Sequence, residues 1–188
     1  MVGKIDSKTM IFMKIFYVLW GIPQLLCYLY YCKRIPEIVE DLKSFTNSGG
    51  IRSFLSQLPK REYRSVFYYR MPFAIRHLLN LTMPRAQNCY LSTANIGGGL
   101  HLQHGYSLIL VAEHIGENFQ VHQNVTVGWG KNGKPTIGDN VTIFPGAVVA
   151  GKIKIGNNVR IAANTVVRHD VPDNCLVYGN PCVVKYEK

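Results

Sequence analysis

The sequence predicts a mainly β fold, a coil of short parallel strands, preceded by an α-helical region. Three observations predict it. An aliphatic residue recurs every six positions after Asn95, Gly and Asn cluster beside those positions, and residues 34–88 instead show helical spacing. The chain has 188 residues, of which 47% are hydrophobic and 17% charged, and this composition excludes a wholly disordered protein.

The six-residue period has a simple geometric meaning. The aliphatic positions are Ile96, Leu102, Leu108, Ile115, Val121, Val127, Ile137, Ile143, Val149, Ile155, Ile161 and Val167. A period of six fits neither a helix nor a hairpin. It fits three short strands per coil, each contributing one inward aliphatic side chain and one corner, where Gly and Asn tolerate unusual backbone angles. We predict about four coils between residues 96 and 172.

The N-terminal half is predicted to form short helices. Ile35, Ile38 and Leu42 share one face at helical spacing. Basic and aromatic residues alternate in residues 60–70, a pattern found in nucleic-acid binders, but we favour a helix with packed aromatic rings and solvated Arg side chains, and no nucleic-acid partner. We therefore divide the chain into a helical N-terminal region, residues 1–88, and a β-helix domain, residues 89–188.

The N-terminal half is basic, and its first part contains a long apolar run. Residues 1–88 contain 13 Lys/Arg and 5 Asp/Glu, and Lys14 is the only charged residue from Ile11 to Tyr31. A membrane-spanning segment is one interpretation. We favour a helix that is interfacial or buried, because Gly21 and Pro23 interrupt the run. The predicted location is cytoplasmic, with peripheral contact at the inner face of the membrane as a hypothesis.

The cysteines argue for reduced thiols. They are five in number and irregularly spaced, without CxxC or Cys/His ligand spacing: Cys27, Cys32, Cys89, Cys175 and Cys182. This pattern disfavours both a structural zinc site and a disulfide framework, so no metal is predicted.

The repeats resemble those of hexapeptide-repeat acyltransferases, above all serine acetyltransferase and its relatives in bacterial polysaccharide loci. The resemblance covers residues 89–184 and is carried by IGGGLHLQHG, IGENFQVHQNVTVG, PTIGDNVTIFPGAVVAGKIKIGNNVRIAANTVV and DVPDNCLVYGNPCVV. It implies a left-handed parallel β-helix, a homotrimer, and acetyl-CoA bound between neighbouring subunits. Residues 1–88 match the helical region of these enzymes only loosely.

Acetyl transfer to a hydroxyl requires a general base, for which His is the natural residue at neutral pH. By the resemblance, His104 in the GLHLQHG motif takes the place of the catalytic His, and His122 is the alternative. The family's partner Asp lies fifteen residues earlier, where this chain has Cys89. Either another acid serves, with Glu113 the closest match, or backbone carbonyls orient the ring.

The co-substrate residues are also implied by the resemblance. The insertion after Val127 corresponds to the family's protruding loop, in which Gly128 and Gly130 would let backbone N–H groups approach the thioester. Pro145 and Ala163 match the corner residues that contact pantetheine in the family, and Arg160 matches a cation near the CoA phosphates. Lys152, Lys154 and Arg168 are alternative cations.

The acceptor is predicted to be a saccharide hydroxyl. Serine acetyltransferases hold serine with an Asp before the catalytic His and an Arg–His pair in the loop; here those positions are Gln103, Gly133 and Lys134. Gln103, Asn132 and Trp129 suit sugar hydroxyls and the apolar face of a sugar ring, and Lys134 remains as a point charge, so these four are the predicted acceptor-binding residues. The open alternatives are serine O-acetylation, N-acetylation of an amino sugar, and a non-catalytic β-helix scaffold.

Overall fold

A computed structural model describes residues 19–186. The helices contained in this part precede the strands and occupy the N-terminal half. They are α1 (Ile22–Tyr31), α2 (Glu37–Thr46), α3 (Ile51–Gln57), α4 (Arg61–Tyr69) and α5 (Phe73–Thr82). Helical structure therefore ends at Thr82 and the first strand begins at Cys89. The division into two domains at residue 88 stays a prediction.

The strands form three sheets around one core. They are β1 (Cys89–Leu91), β2 (His101–Gln103), β3 (Leu108–Leu110), β4 (His114–Ile115), β5 (Gln120–His122), β6 (Thr126–Gly128), β7 (Thr136–Ile137), β8 (Thr142–Ile143), β9 (Val148–Ala150), β10 (Lys154–Ile155), β11 (Arg160–Ile161), β12 (Val166–Val167), β13 (Cys175–Tyr178) and β14 (Val183–Tyr186). The first sheet has the order β1-β3-β6-β9-β12, the second β4-β7-β10, and the third β2-β5-β8-β11-β13-β14. Only β14 pairs antiparallel among these strands.

Successive strands belong to the different sheets in turn, and the chain therefore forms a parallel β-helix of about five turns. The predicted fold class is confirmed, with one turn more than the predicted four because the coil begins at Cys89; its handedness stays a prediction. Inward side chains form an aliphatic core from which water is excluded. Fully buried members include Leu110, Ile115, Val121, Val127, Ile137, Ile143, Val149, Ile161 and Val167.

One position of the predicted column is wrong. The six-residue spacing predicts Leu108 opposite Val127, whereas the register places Leu110 there and Leu108 opposite Cys89. Eight positions thus separate Leu102 from its successor instead of six, because the corner between β2 and β3 is longer. This longer corner contains His104, and both His104 and Ser107 adopt positive φ there.

Asparagines stabilise another corner of the coil. Asn118, Asn140, Asn158 and Asn174 have φ between 54° and 59°. Their side-chain amides form a ladder: each donates to the Oδ1 of the next, at 3.0, 3.1 and 2.9 Å along the series. The prediction that Asn occupies corners is confirmed, and the ladder links successive turns.

The helical region has its own core, which is largely aromatic. Phe54 stacks on Tyr28, with 4.3 Å between ring centroids, and packs edge-on against Phe67. The prediction of solvated Arg side chains on α4 is wrong for Arg64, which is buried and donates from Nε to the carbonyl of Pro84 at 2.9 Å. Backbone carbonyls left over at the ends of the helices provide its partners.

A buried ion pair joins the helices to the first turn of the β-helix. Arg70 after α4 donates through Nε and Nη2 to the Asp41 carboxylate on α2, at 2.7 and 3.0 Å. The same carboxylate accepts the Leu100 N–H at 2.8 Å, and Arg70 also donates to the carbonyls of Ile96 and Gly97. One pair therefore orients two helices against the strand that precedes His104.

Among residues 19–186, no helix has both the length and the apolar character that crossing a bilayer requires. The predicted apolar segment begins at Ile11, so its first part lies outside the described residues.

Candidate active site

His104 lies at the exposed corner after β2, with φ 53°. Corners between strands of the third sheet and strands of the first sheet stack along one edge of the prism, which we call the third–first edge. Pro145, between β8 and β9, and Ala163, between β11 and β12, lie on this same edge. The fold thus aligns His104 with two residues predicted to contact the co-substrate.

A chain of side chains leads from α2 to His104. His101 Nδ1 lies 2.8 Å from the carbonyl of Ser44, and His101 Nε2 lies 3.0 Å from the side-chain amide of Gln103. The other end of that amide lies 3.5 Å from His104 Nε2. His101 also stacks on Phe45 of α2, with ring centroids 4.2 Å apart. The helical region therefore contributes directly to the surroundings of His104.

The contacts determine the tautomer of His101. A carbonyl can only accept, so His101 Nδ1 carries a proton, and Nε2 of the neutral ring accepts. The structure places Gln103 Oε1 toward His101 Nε2 and Gln103 Nε2 toward His104 Nε2. Because Nε2 of a neutral His101 can only accept, we assign the exchanged amide orientation, with the NH2 group toward His101 and the oxygen toward His104. The oxygen favours a proton on His104 Nε2, which leaves His104 Nδ1 with a free lone pair.

His122 lies beside this chain on the neighbouring turn, where β5 pairs it with Gln103. Its ring stacks on Phe144, with centroids 5.1 Å apart. Burial lowers the pKa of His122, and the nearby His104 and His101 lower it further. His122 is therefore neutral at pH 7. Its Nε2 is buried and has no hydrogen-bond partner among the described residues.

The predicted acid lies elsewhere. Glu113 is at a corner between the first and second sheets, and its carboxylate pairs with Lys134 Nζ at 3.5 Å. Lys134 Nζ also lies 5.4 Å from the ring centroid of Trp129, whose side chain is 68% exposed. The structure thus brings Glu113 together with the predicted loop residues, on a different edge from His104.

The loop after β6 is closed by its own backbone. Gly130 N–H donates to the carbonyl of Gly133 at 3.0 Å, with the exposed Asn132 between them. A Cβ on Gly130 would lie 2.5 Å from Gly151 Cα, so only glycine fits there. A Cβ on Gly128 would meet no atom within 4 Å, which leaves space for a ligand to approach its backbone.

The structure also shows what surrounds Arg160 and Cys89. Arg160 on β11 is exposed, and its guanidinium carbon lies 5.9 Å from the ring centroid of Phe144, next to the third–first edge. Cys89 is buried in β1, and burial raises the pKa of its thiol to about 11. A neutral thiol cannot replace a carboxylate as the partner of an imidazolium.

Sequence reasoning missed His101 and Ser44 as neighbours of the candidate base. His101 and Gln103 are two residues apart on one strand, so their side chains share a face, and this alternation was an available signal. The part of Ser44 had no such signal, because α2 reaches the strand only through tertiary packing.

Comparison with known proteins agrees with this architecture. Residues 134–169 match the family model described as bacterial transferase hexapeptide (six repeats). A serine acetyltransferase from Synechococcus elongatus is 43% identical over 98 residues, which are 50% of this chain and 40% of that protein. The chain thus spans less than half the length of this relative.

Solved structures show the same fold. Serine acetyltransferase from Neisseria gonorrhoeae, in complex with serine, has a TM-score of 0.65 and 25% identity, over 86% of this chain and 73% of that one. A serine acetyltransferase in complex with CoA has a TM-score of 0.66 and 21% identity, over 84% and 72%. The chain carries the hexapeptide repeats of bacterial transferases and is similar in sequence and fold to serine acetyltransferases.

Proposed function

We propose that this protein transfers the acetyl group of acetyl-CoA to a hydroxyl group. The similarity to serine acetyltransferases supports the reaction class. The observation that carries the proposal is the chain of contacts from Ser44 through His101 and Gln103 to His104 at an exposed corner. With the amide of Gln103 assigned as above, this chain supports His104 Nδ1 as the atom that accepts the proton.

The chemistry follows from that arrangement. His104 Nδ1 accepts the hydroxyl proton while the hydroxyl oxygen attacks the thioester carbonyl carbon, forming a tetrahedral intermediate. The C–S bond then breaks, and the CoA sulfur takes the proton back from His104. Gln103 stabilises the imidazolium by accepting from its Nε2–H, a dipole in place of the family's carboxylate. Cys89 is neutral and has no part in this step.

The co-substrate is proposed to lie along the third–first edge. Pro145 and Ala163 line the path of pantetheine on the turns that follow His104, and Arg160 lies beside that path to attract the phosphates. No metal takes part in the proposed reaction.

A homotrimer is proposed because the candidate site is divided between two edges. Glu113, Trp129, Asn132 and Lys134 lie on the edge between the first and second sheets, whereas His104 lies on the third–first edge. A three-fold ring places one edge of each protomer beside the other edge of its neighbour. The loop of one subunit, with Gly128 and Gly130, would then cover His104 of the next.

Two acceptors are supported by different observations. The names of the relatives, and the Neisseria gonorrhoeae complex with serine, favour serine. The neutral Gln103 beside His104 and the pairing of Lys134 with Glu113 favour an uncharged hydroxyl compound such as a saccharide, because Gln103 offers no charge to an ammonium group and Lys134 is already paired. Turnover of acetyl-CoA with serine and with saccharides at matched concentration distinguishes the two.

The base is tested by His104→Ala, with His77→Ala as a control histidine on α5. We expect His104→Ala to lower kcat by about 100-fold or more and to leave CoA affinity unchanged, because only the proton transfer is lost. The control is expected to retain its kcat. Normal turnover by His104→Ala would overturn the assignment and favour His122. Absence of acetyl-CoA turnover with every acceptor would overturn the function and favour the scaffold alternative.

A further inference from the structure

Helix α1 is apolar on both of its faces. The inner face packs on the helical region: Tyr28 is buried, and the buried amide of Gln24 donates to Tyr68 Oη and to the carbonyl of Leu79. The outer face has no such cover among the described residues. The large side chains on this outer side, including Leu19 just before the helix, are between 44% and 62% exposed. Leu19, Ile22, Leu26 and Leu29 follow one another three or four positions apart, and Tyr30 lies next to Leu29.

Helix α5 continues the same surface. Leu78 and Leu81 on its outer side are 65% and 80% exposed. The Trp20 indole N–H donates to the carbonyl of Thr82, directly after Leu81, and this contact holds the start of α1 against the end of α5. We call the outer side chains of both helices, together with Trp20, the apolar face. A patch of this kind on a protein surface marks an interaction site.

The two chain segments that form the apolar face carry only basic charges. Residues 19–36 and 63–88 contain no Asp or Glu. Lys33 and Arg34 follow the end of α1, and Arg85 follows α5. An apolar face that contains Trp and Tyr and is bordered by cations matches the interfacial zone and headgroups of an anionic membrane.

We propose that the apolar face lies on the surface of an anionic lipid bilayer, with α1 and α5 in the plane of the membrane. The inner side of α1 is occupied by Gln24 and Tyr28, so only its outer side can meet lipid. A second copy of the chain is a poorer occupant, because its own apolar face is bordered by the same cations and offers no anionic groups to Lys33, Arg34 and Arg85. The proposal does not depend on acetyl transfer, and its test needs no turnover.

The two tryptophans permit a direct test on the full chain. In Trp129→Phe, Trp20 is the only tryptophan; in Trp20→Phe, only Trp129 remains. With phosphatidylglycerol vesicles that contain brominated lipid, we expect Trp20 fluorescence to be quenched and Trp129 fluorescence to be unaffected, since quenching requires the indole to enter the acyl boundary. Absence of Trp20 quenching, or equal quenching of both, would overturn the proposal.

Vesicle sedimentation gives an independent measurement. Leu26→Glu is expected to weaken binding to phosphatidylglycerol vesicles by about tenfold or more, and binding should fall with added salt or in phosphatidylcholine vesicles. Val183→Glu is the matched control, at an aliphatic site on β14 that is 51% exposed against 62% for Leu26, and should bind like the parent. Light scattering tests the alternatives: self-association that Leu26→Glu abolishes, without vesicle binding, would show that a second copy covers the face. A monodisperse protein that binds no vesicles would show that another part of the chain covers it.

Discussion

The helical region and the β-helix bury their cores by different means. The β-helix excludes water with repeated Ile, Leu and Val side chains, and its polar contacts repeat from turn to turn along the Asn ladder. The helical region packs aromatic rings such as Phe54 and Tyr63 and buries single polar contacts that occur once, among them Gln24 and Arg64. The core and ladder contacts of the β-helix recur from turn to turn, whereas each polar contact of the helical region occurs once.

The difference matters for the candidate site because both regions contribute to it. The β-helix places His104 at a corner, but the helix α2 supplies the carbonyl of Ser44 that orients His101. Asp41 and Arg70 hold α2 and α4 against that turn. The β-helix thus provides the position of His104, and the helical region contributes to the orientation of the side chains around it.

The junction offers the largest expected effect. Removing one member of a buried ion pair leaves the other charge uncompensated, so Arg70→Met is expected to lower the free energy of unfolding by about 3–5 kcal/mol at pH 8. Arg61→Met, an exposed arginine on α4, should change it by less than about 0.5 kcal/mol. Urea unfolding of both variants measures the difference.

The pH dependence of this loss has a definite sign. Burial already raises the pKa of Asp41 to about 6, against the opposing effects of Arg70 and the Leu100 N–H. A pKa that is higher in the folded state than in the unfolded state means that stability is lost as the pH rises through the folded value. Without Arg70 that pKa rises further, so the variant should lose less stability at pH 5 than at pH 8. An equal loss at both values would contradict a role for the Asp41 charge.

The repeated region should respond more weakly to a single change. Asn140→Ala removes two ladder hydrogen bonds and forces a non-glycine residue without a polar side chain to remain at φ 56°. We expect a loss of about 2 kcal/mol in the free energy of unfolding. Asn140→Gly tolerates that φ and should cost about half as much. Equal losses in the two variants would assign the whole effect to the ladder and none to the backbone.

The contribution of the helical region to catalysis has the smallest expected effect. His101→Phe keeps the ring stacked on Phe45 but removes both nitrogen contacts, so Gln103 loses its orientation. We expect kcat to fall about tenfold while KM for acetyl-CoA is unchanged. Nitrogen-15 NMR of His104 should show loss of the Nε2–H tautomer. A change in KM alone, or an unchanged tautomer, would assign His101 a merely structural part.

The sequence by itself determined the β-helix and the corner at which His104 lies. A six-residue aliphatic period is visible without any tertiary information, because each turn contacts only its neighbours and repeats the same pattern of inward side chains and corners. The exception is the register of Leu108, where the longer corner after Leu102 displaces the column by two residues. Corner lengths vary freely at the surface, so a fixed period cannot detect such an insertion.

Only the tertiary structure decided what surrounds the base. Ser44 and His101 are 57 positions apart, and Asp41 and Leu100 are 59 positions apart, so their contacts exist only after the helices dock on the first turn. The same docking buries Arg70, and packing within the helical region buries Arg64, although the local sequence pattern predicts solvent exposure for both. The spacing of apolar residues indicates which side of a helix is apolar. The partner of each buried polar group depends instead on packing between distant segments, and no regular spacing in the sequence corresponds to that packing.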